Sequence, residues 1–173
     1  MTLARVRALL VVVTMAVLAA TFVVWAIMRD SQTKDDTATA RRCAEGEKPA
    51  ATAIPEPKKL TINVYNDTDQ RGLAKRVADH LKAEGFKVAK VAQDPDPNVV
   101  KGTAEIRFGP KGLGGAYLLS AYFQKADMLP DTERNDDTVD VVLGQEFKQI
   151  ATPAEVNDAL RMIGEPSPPA GMC

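Results

Sequence analysis

An uncharged, apolar run from Ala8 to Met28 is the feature that most constrains this chain. As a helix rising 1.5 Å per residue it would be about 31 Å long, which matches the roughly 30 Å hydrocarbon core of a membrane. A cleaved secretory signal is the alternative, but its apolar region is usually about 7–15 residues and ends in small residues. Here Phe22, Trp25 and Ile27 continue the run. We therefore predict an uncleaved transmembrane helix over 8–28.

The flanks of this run suggest an orientation and a compartment. Basic residues stand on both sides of it, at Arg5, Arg7, Arg29 and Lys34, so their count favours neither side. Because the N-terminal flank is short, we predict that residues 1–7 are cytoplasmic. The chain would then be a single-pass protein of the cell membrane with its remaining residues outside the cytoplasm.

Composition places one domain after the predicted anchor. Residues 29–59 contain Thr, Ala, Lys, Asp and Pro and almost no aliphatic side chain, which predicts a flexible stalk. A Pro-rich tail over 165–173 is predicted for the same reason. The stretch between them has room for one domain of roughly 100 residues and too little for two substantial ones.

Charge and cysteine counts exclude several classes of function. The net charge is −1, from 22 basic and 23 acidic side chains, so the basic surface of a nucleic-acid-binding protein is absent. Two cysteines and one histidine are too few for a four-ligand structural zinc site, and we predict neither a metal nor a cofactor. Outside the cytoplasm a Cys43–Cys173 disulfide is the economical interpretation, with an intermolecular disulfide or two free thiols as alternatives.

Hydrophobic periodicity predicts the elements of the domain. Alternation of apolar and polar residues indicates strands, spacings of four indicate helices, and Thr152 to Glu155 has the pattern of a capping box. The predicted strands are 60–66, 86–92, 103–108, 125–129 and 138–143, and the predicted helices are 70–84, 113–123 and 152–163.

The order of these elements predicts the fold class. It is an α/β two-layer sandwich, β-α-β-β-α-β-β with the helices on one sheet face, followed by a C-terminal helix over 151–164 and preceded by the transmembrane helix. The other face of the sheet, called the open face below, should carry Thr61, Asn63, Tyr65, Thr103, Glu105, Arg107, Thr138 and Asp140.

Five short strings of sequence occur together in this order. They are 64–68 (VYNDT), 72–74 (GLA), 85–88 (GFKV), 106–110 (IRFGP) and 137–144 (DTVDVVLG). Together they make residues 60–150 resemble the LytR C-terminal domain, a small α/β module of Gram-positive and especially actinobacterial envelope proteins. The chain has no room for the LytR–CpsA–Psr catalytic domain that the module often follows, so it is similar to the stand-alone, membrane-anchored members. Because the family module has no established catalytic residues, the resemblance implies a protein that is not an enzyme.

The open face and one glycine-rich turn are the candidate binding sites. Asn63, Tyr65, Glu105, Arg107 and Asp140 offer a ring and several hydrogen-bonding groups, as a glycan requires, although a solvated face or a face covered by the C-terminal helix is the alternative. The turn at 109–115 opens a helix, where Lys111 and Gly112 could bind an anion. Its spacing matches no phosphate-binding motif, so a structural turn with close packing is favoured.

Three further groups of polar residues are weaker candidates. The acidic loop Asp131, Glu133, Asn135, Asp136 and Asp137 lacks the spacing of an EF-hand. His80 has no evident cysteine or serine partner. The third group is a basic patch, formed by Arg71, Lys75, Arg76, Lys82, Lys87 and Lys90. A solvated helix face is the favoured interpretation of this patch, and contact with anionic wall polymers or lipid headgroups is the alternative.

These observations lead to two functional hypotheses of different classes. The first is a non-catalytic, membrane-anchored envelope protein whose extracytoplasmic domain binds cell-wall glycopolymer or peptidoglycan, or positions wall-assembly enzymes such as LytR–CpsA–Psr proteins. The second is a protein–protein scaffold for membrane partners that binds no glycan.

Overall fold

The computed structural model describes Met15, Thr21, Cys43, Ala44 and residues 46–96 and 98–173. The chain divides into two compact units, Met1–Arg41 and Arg42–Cys173, and the second contains the predicted domain. Among the described residues, no helix is long and apolar enough to cross a membrane. The predicted membrane helix over 8–28 lies outside the described residues, apart from Met15 and Thr21, as do residues 1–7 and the first part of the predicted stalk.

The described part of the second unit is an α/β fold with a mixed five-stranded sheet and three α-helices. Its elements follow the predicted order, and their boundaries lie within three residues of the predicted ones. They are β1 Thr61–Asn66, α1 Leu73–Ala83, β2 Lys87–Gln93, β3 Ala104–Phe108, α2 Leu113–Tyr122, β4 Asp127–Pro130, β5 Val139–Leu143 and α3 Pro153–Ile163.

The strand order across the sheet is β2-β1-β5-β3-β4. β1 pairs in parallel with β2 and β5, and β3 pairs in parallel with β4. β3 and β5 are antiparallel. The sheet therefore consists of two βαβ units, β1-α1-β2 and β3-α2-β4, with β5 inserted between their first strands. Parallel pairing requires such a crossover, which α1 and α2 provide.

All three helices pack on one face of the sheet. Their buried side chains form a single core with the inward residues of the strands, such as Ile62, Ile106 and Val141, each 0% exposed. α3 joins this same core through Val156, with Leu160 and Ile163 packed at its margin. The C-terminal helix therefore does not cover the open face, which was the alternative left by the sequence.

The second half of the predicted stalk, residues 46–59, packs on the domain. The amide of Ala51 donates to the carbonyl of Pro110 over 2.9 Å, and Gly114 donates to the carbonyl of Ala51 over 2.8 Å. A Cβ atom on Gly114 would lie 2.0 Å from the Ala53 carbonyl oxygen, so only glycine permits this approach. The structure therefore differs from the prediction of a flexible stalk over these residues. Backbone contacts between small residues hold the segment, and such contacts leave no hydrophobic period in the sequence.

The predicted Cys43–Cys173 disulfide is confirmed, and it closes the domain on itself. The two Cα atoms are 5.4 Å apart, within the usual range for a disulfide. The amide of Lys48 donates to Gly171, and the amide of Cys173 donates to Lys48, over 3.1 and 3.0 Å. The end of the Pro-rich tail is therefore paired with residue 48 rather than free, and Met172 is buried.

The predicted capping box at the start of α3 is present. Thr152 Oγ1 accepts from the Glu155 amide over 3.4 Å, and Glu155 Oε2 accepts from the Thr152 amide over 2.7 Å. The hydrogen bonds from the Thr152 amide and hydroxyl lower the pKa of Glu155 below its ordinary value. The carboxylate form is therefore the one that caps the helix.

Replacing Thr152 with alanine is expected to lower the free energy of unfolding by about 1 kcal/mol, because the Glu155 amide loses its partner. Because the pKa of Glu155 is lower in the folded state, its contribution is present at neutral pH and is lost as pH falls through that lowered value. Urea unfolding at pH 7 and pH 3 measures both effects. Thr132→Ala, a threonine outside any helix cap, is the control, and an equal loss for the two variants would contradict the assignment.

Candidate functional site: the open face and a basic groove

The five residues predicted as a glycan site lie on one face, in two adjacent rows of the sheet. In the first row Asn63 stands opposite Asp140, which stands opposite Arg107. In the second row Tyr65 stands opposite Val142, which stands opposite Glu105. The strand period thus placed these residues together correctly. Thr61, Thr103 and Thr138 are half-buried at the strand ends.

The guanidinium of Arg107 is held by two carboxylates. It donates to both oxygens of Asp94 over 3.0 Å each, and to Glu105 Oε2 from Nε at 3.1 Å and Nη2 at 2.8 Å. Burial alone would lower the pKa of Arg107, but the hydrogen bonds to Asp94 and Glu105 raise it. The side chain of Asp94 is 0% exposed. Because Asp94 begins the loop from β2 to β3, this ion pair fixes that loop over the open face.

A second ion pair occupies the other end of the face. Asp140 accepts from Asn63 Nδ2 at 2.8 Å and from Arg134 Nη1 at 2.8 Å. Arg134 also donates from Nε to Asp136 over 3.1 Å. Burial would lower the pKa of Arg134, but its bond to Asp140 raises it. Arg134 lies in the loop before β5, and no periodic signal in the sequence indicated that it would reach the sheet.

Tyr65 is covered rather than exposed. Its side chain is 8% exposed and forms a small cluster with Val100 and Val142, against which Ala92 packs. The Lys90 ammonium lies 5.4 Å from the centre of its ring. Val100 belongs to the β2–β3 loop, and its backbone amide donates a hydrogen bond to Asp67 Oδ2. The open face is therefore polar and rigid, and its aromatic ring is not available as a flat platform.

Replacing Asp94 with alanine is expected to lower the free energy of unfolding by about 2 kcal/mol, because Arg107 loses a bidentate partner in a partly buried setting. Asp96→Ala is the control, since its Oδ2 lies 3.9 Å from the guanidinium without a hydrogen bond to it, and among the described residues its Oδ1 accepts only from the exposed Asn98. We expect a loss below about 1 kcal/mol for it. Urea unfolding measures both, and equal losses would contradict a structural role for the Arg107–Asp94 pair.

The glycine-rich turn at 109–115 has the features of a structural turn with close packing, the interpretation that the sequence favoured over an anion site. Pro110–Gly112 is a 3-10 turn that leads into α2. The amide of Gly112 donates to the carbonyl of Gly109, and the amide of Gly114 donates to the carbonyl of Ala51. A Cβ on Gly115 would lie 2.5 Å from Leu60 Cδ1, so this glycine permits close packing of helix on sheet. Lys111 is exposed.

The remaining candidates have local roles in the structure. In the acidic loop, Asp131 Oδ1 accepts from the Glu133 amide and Asp136 Oδ1 accepts from the Thr138 amide, as in turns. Among the described residues, no group of three or more histidine, cysteine or acidic side chains could hold a metal ion. His80 lies on the exposed side of α1 with Nε2 3.8 Å from Glu84 Oε1.

A groove that the sequence did not predict lies between α1 and the segment 147–152, which joins β5 to α3. Its volume is about 360 Å³. It is lined by Gln70, Leu73, Arg76, Val77, His80, Phe147, Lys148, Gln149, Ile150 and Thr152. Of the predicted basic patch only Arg76 lies in this groove, while Lys75 is paired with Asp79 over 2.6 Å. One wall of the groove is the segment 147–152, which is neither helix nor strand. Hydrophobic periodicity in the sequence therefore could not predict the groove.

The mixed sheet with three helices on one face defines a small α/β module. Residues 59–147 match the family model LytR_C, described as LytR cell envelope-related transcriptional attenuator. The chain belongs to this family, as the resemblance in its sequence implied.

The chain is also similar to two mycobacterial proteins. It is 31% identical over 126 residues to the cell envelope integrity protein Cei of Mycobacterium tuberculosis, an alignment that covers 66% of this chain and 56% of Cei. The chain thus spans only about half the length of that curated relative. The second is the crystal structure of the soluble domain of a conserved hypothetical secreted protein from Mycobacterium marinum. It superposes with a TM-score of 0.55 at 27% identity, over 72% of this chain and 83% of that one.

Proposed function

We propose that this chain is a non-catalytic, membrane-anchored envelope protein whose domain lies outside the cytoplasm and binds cell-wall glycopolymer. The observation that carries the proposal is the polar character of the exposed domain surface. Large apolar side chains exposed on the described domain are Val91, Val99, Leu129 and Met162, and they stand on different elements. Scattered apolar side chains are usual on a monomer and do not form a protein-docking patch.

Two further observations support the compartment. The domain is closed by a disulfide, which is typical of proteins in oxidising surroundings outside the cytoplasm. The relatives are named as an envelope integrity protein and a secreted protein. With the apolar run over 8–28 ahead of the domain, these findings favour an anchor in the cell membrane and a domain facing the wall.

Sedimentation with cell-wall sacculi tests the proposal. The full chain, purified in detergent, is mixed with mycobacterial sacculi that either keep their secondary polymers or have been stripped of them by acid. Binding to intact sacculi alone is expected for recognition of a glycopolymer, and binding to both would indicate peptidoglycan. If the chain remains in the supernatant with both, wall binding is contradicted.

The open face can be tested in the same assay without disturbing the core. Asn63→Ala removes one amide from the face and leaves the Arg134–Asp140 ion pair in place, whereas Arg107→Ala would also release the β2–β3 loop. Ser120→Ala, on the helix side of the sheet, is the matched control. Weaker sedimentation of Asn63→Ala alone would assign binding to the open face, and equal sedimentation would move the contact elsewhere.

A protein–protein scaffold is the second candidate, and Met162 favours it. This side chain is 82% exposed at the rim of a depression between α2 and α3. Cross-linking in living cells from a photoreactive residue at position 124, which lines the same depression, tests this candidate. Capture of one defined membrane protein, lost in Met162→Lys, would support scaffolding.

A further inference from the structure

The groove between α1 and the segment 147–152 has a rigid apolar floor. Leu73 and Val77 lie one turn apart on α1 and are buried. Phe147 is also buried, and its ring centre lies 6.0 Å from that of Phe123 in the core. The floor is thus anchored in the main hydrophobic core, and the polar side chains above it have a fixed base.

The rim of this groove is basic, and no carboxylate of the described residues lines it. Arg76 and Lys148 are exposed, and His80 lies one turn after Arg76. In the described part of the chain neither Arg76 nor Lys148 forms an ion pair, and Arg76 has one hydrogen bond, from Nη1 to the Arg71 carbonyl at 3.4 Å. The whole chain has 23 acidic residues, but none of those that the structure describes lines the groove. The groove is therefore positively charged, whereas the net charge of the whole chain is −1.

A second depression continues the groove beyond the segment 148–149. It is lined by Thr103, Lys125, Glu146, Lys148 and Gln149, and its volume is also about 360 Å³. Lys148 and Gln149 line both depressions, so the two adjoin. The second depression adds one lysine and one carboxylate. An extended ligand with repeated charges fits this shape better than a single small anion.

We infer that this groove binds an anionic glycopolymer, whose repeating phosphodiester or carboxylate groups pair with Arg76 and Lys148. The inference rests on the proposed wall-binding function and assigns it a site and a charge. The half-buried Ile150 at the edge of the floor would contact the sugar rings, and Gln70 and Gln149 would supply amides for hydroxyl groups. The exposed large apolar residues Val91, Val99, Leu129 and Met162 all lie outside this groove, so a membrane surface is the poorer match.

Binding of soluble polymers to the full chain in detergent tests the inference. The probes are poly(glycerol phosphate), which carries phosphodiesters, and polygalacturonate, which carries carboxylates, with dextran as the uncharged polymer. We expect the double variant Arg76→Gln/Lys148→Gln to bind the preferred anionic polymer about tenfold more weakly, as loss of two exposed charge contacts predicts. The wild-type affinity should also fall as salt rises, because salt screens these contacts.

The control removes the same charge from the same domain. Lys82→Gln/Lys87→Gln changes two exposed lysines that do not line the groove, and its affinity should stay within about twofold of wild type. Equal weakening of the two double variants would overturn the site, as would wild-type binding to dextran in preference to both anionic polymers. If wild type sediments with sacculi and the groove variant sediments equally well, the inference fails while the proposed function stands.

Discussion

Removal of the Cys43–Cys173 disulfide is expected to lower the free energy of unfolding of the domain by about 3–5 kcal/mol. The bond joins residues separated by 130 positions, and a loop of that length contributes about 5 kcal/mol in the chain-entropy model. Without the bond, the folded variant recovers some chain entropy by releasing the pairing of Lys48 with residues 171–173, so the lower part of this range is favoured. Urea unfolding of Cys43→Ser/Cys173→Ser against the oxidised wild type measures the loss.

Hydrogen exchange shows where that loss originates. In the variant we expect the amides of Lys48, Ala50 and Cys173 to lose protection first, because they bridge the two ends of the domain. The amides of β1 and β5 should keep their order of protection. The single variants, tested with the remaining thiol blocked, should match the double variant. Unchanged stability of all three would show that the disulfide contributes nothing beyond the backbone pairing of the ends.

The elements of the fold followed from local periodicity, but the strand order did not. Alternation placed Ile62, Val64, Ile106 and Val141 on one face, because a strand turns successive side chains to opposite sides. The insertion of β5 between β1 and β3 depends on pairing between residues far apart in sequence. A single sequence contains no periodic signal for such pairing.

The polar residues of the candidate site were predicted as a set, but their partners were not. Strand period put Arg107 and Asp140 on the open face, where both are found. Their partners Asp94 and Arg134 come from loops, and loop conformation is set by tertiary contacts rather than by pattern. The same loop that supplies Asp94 also brings Val100 over Tyr65. A ring predicted to be exposed is therefore buried.

Replacing Gly144 with alanine is expected to lower the free energy of unfolding by about 3 kcal/mol, since overpacking of this severity lies at the upper end of the usual range. A Cβ atom there would lie 2.2 Å from the Gly102 carbonyl oxygen and 2.6 Å from Val100 Cγ1. The Gly144 amide also donates to the Thr103 carbonyl over 3.0 Å. The end of β5 and the β2–β3 loop would have to separate, which would uncover Tyr65.

Gly102→Ala is the matched control, because it adds the same methyl group to the other side of this contact. Its Cβ would meet only Asp127 Oδ2, at 3.6 Å, which is an ordinary van der Waals distance. We expect its stability to stay within about 1 kcal/mol of wild type. In a background of Trp25→Phe, Tyr117→Phe and Tyr122→Phe, tyrosine fluorescence of the folded proteins should report the exposure of Tyr65 in Gly144→Ala alone. Equal stability of the two variants would show that the loop moves freely over β5, and the rigid open face would then have to be abandoned.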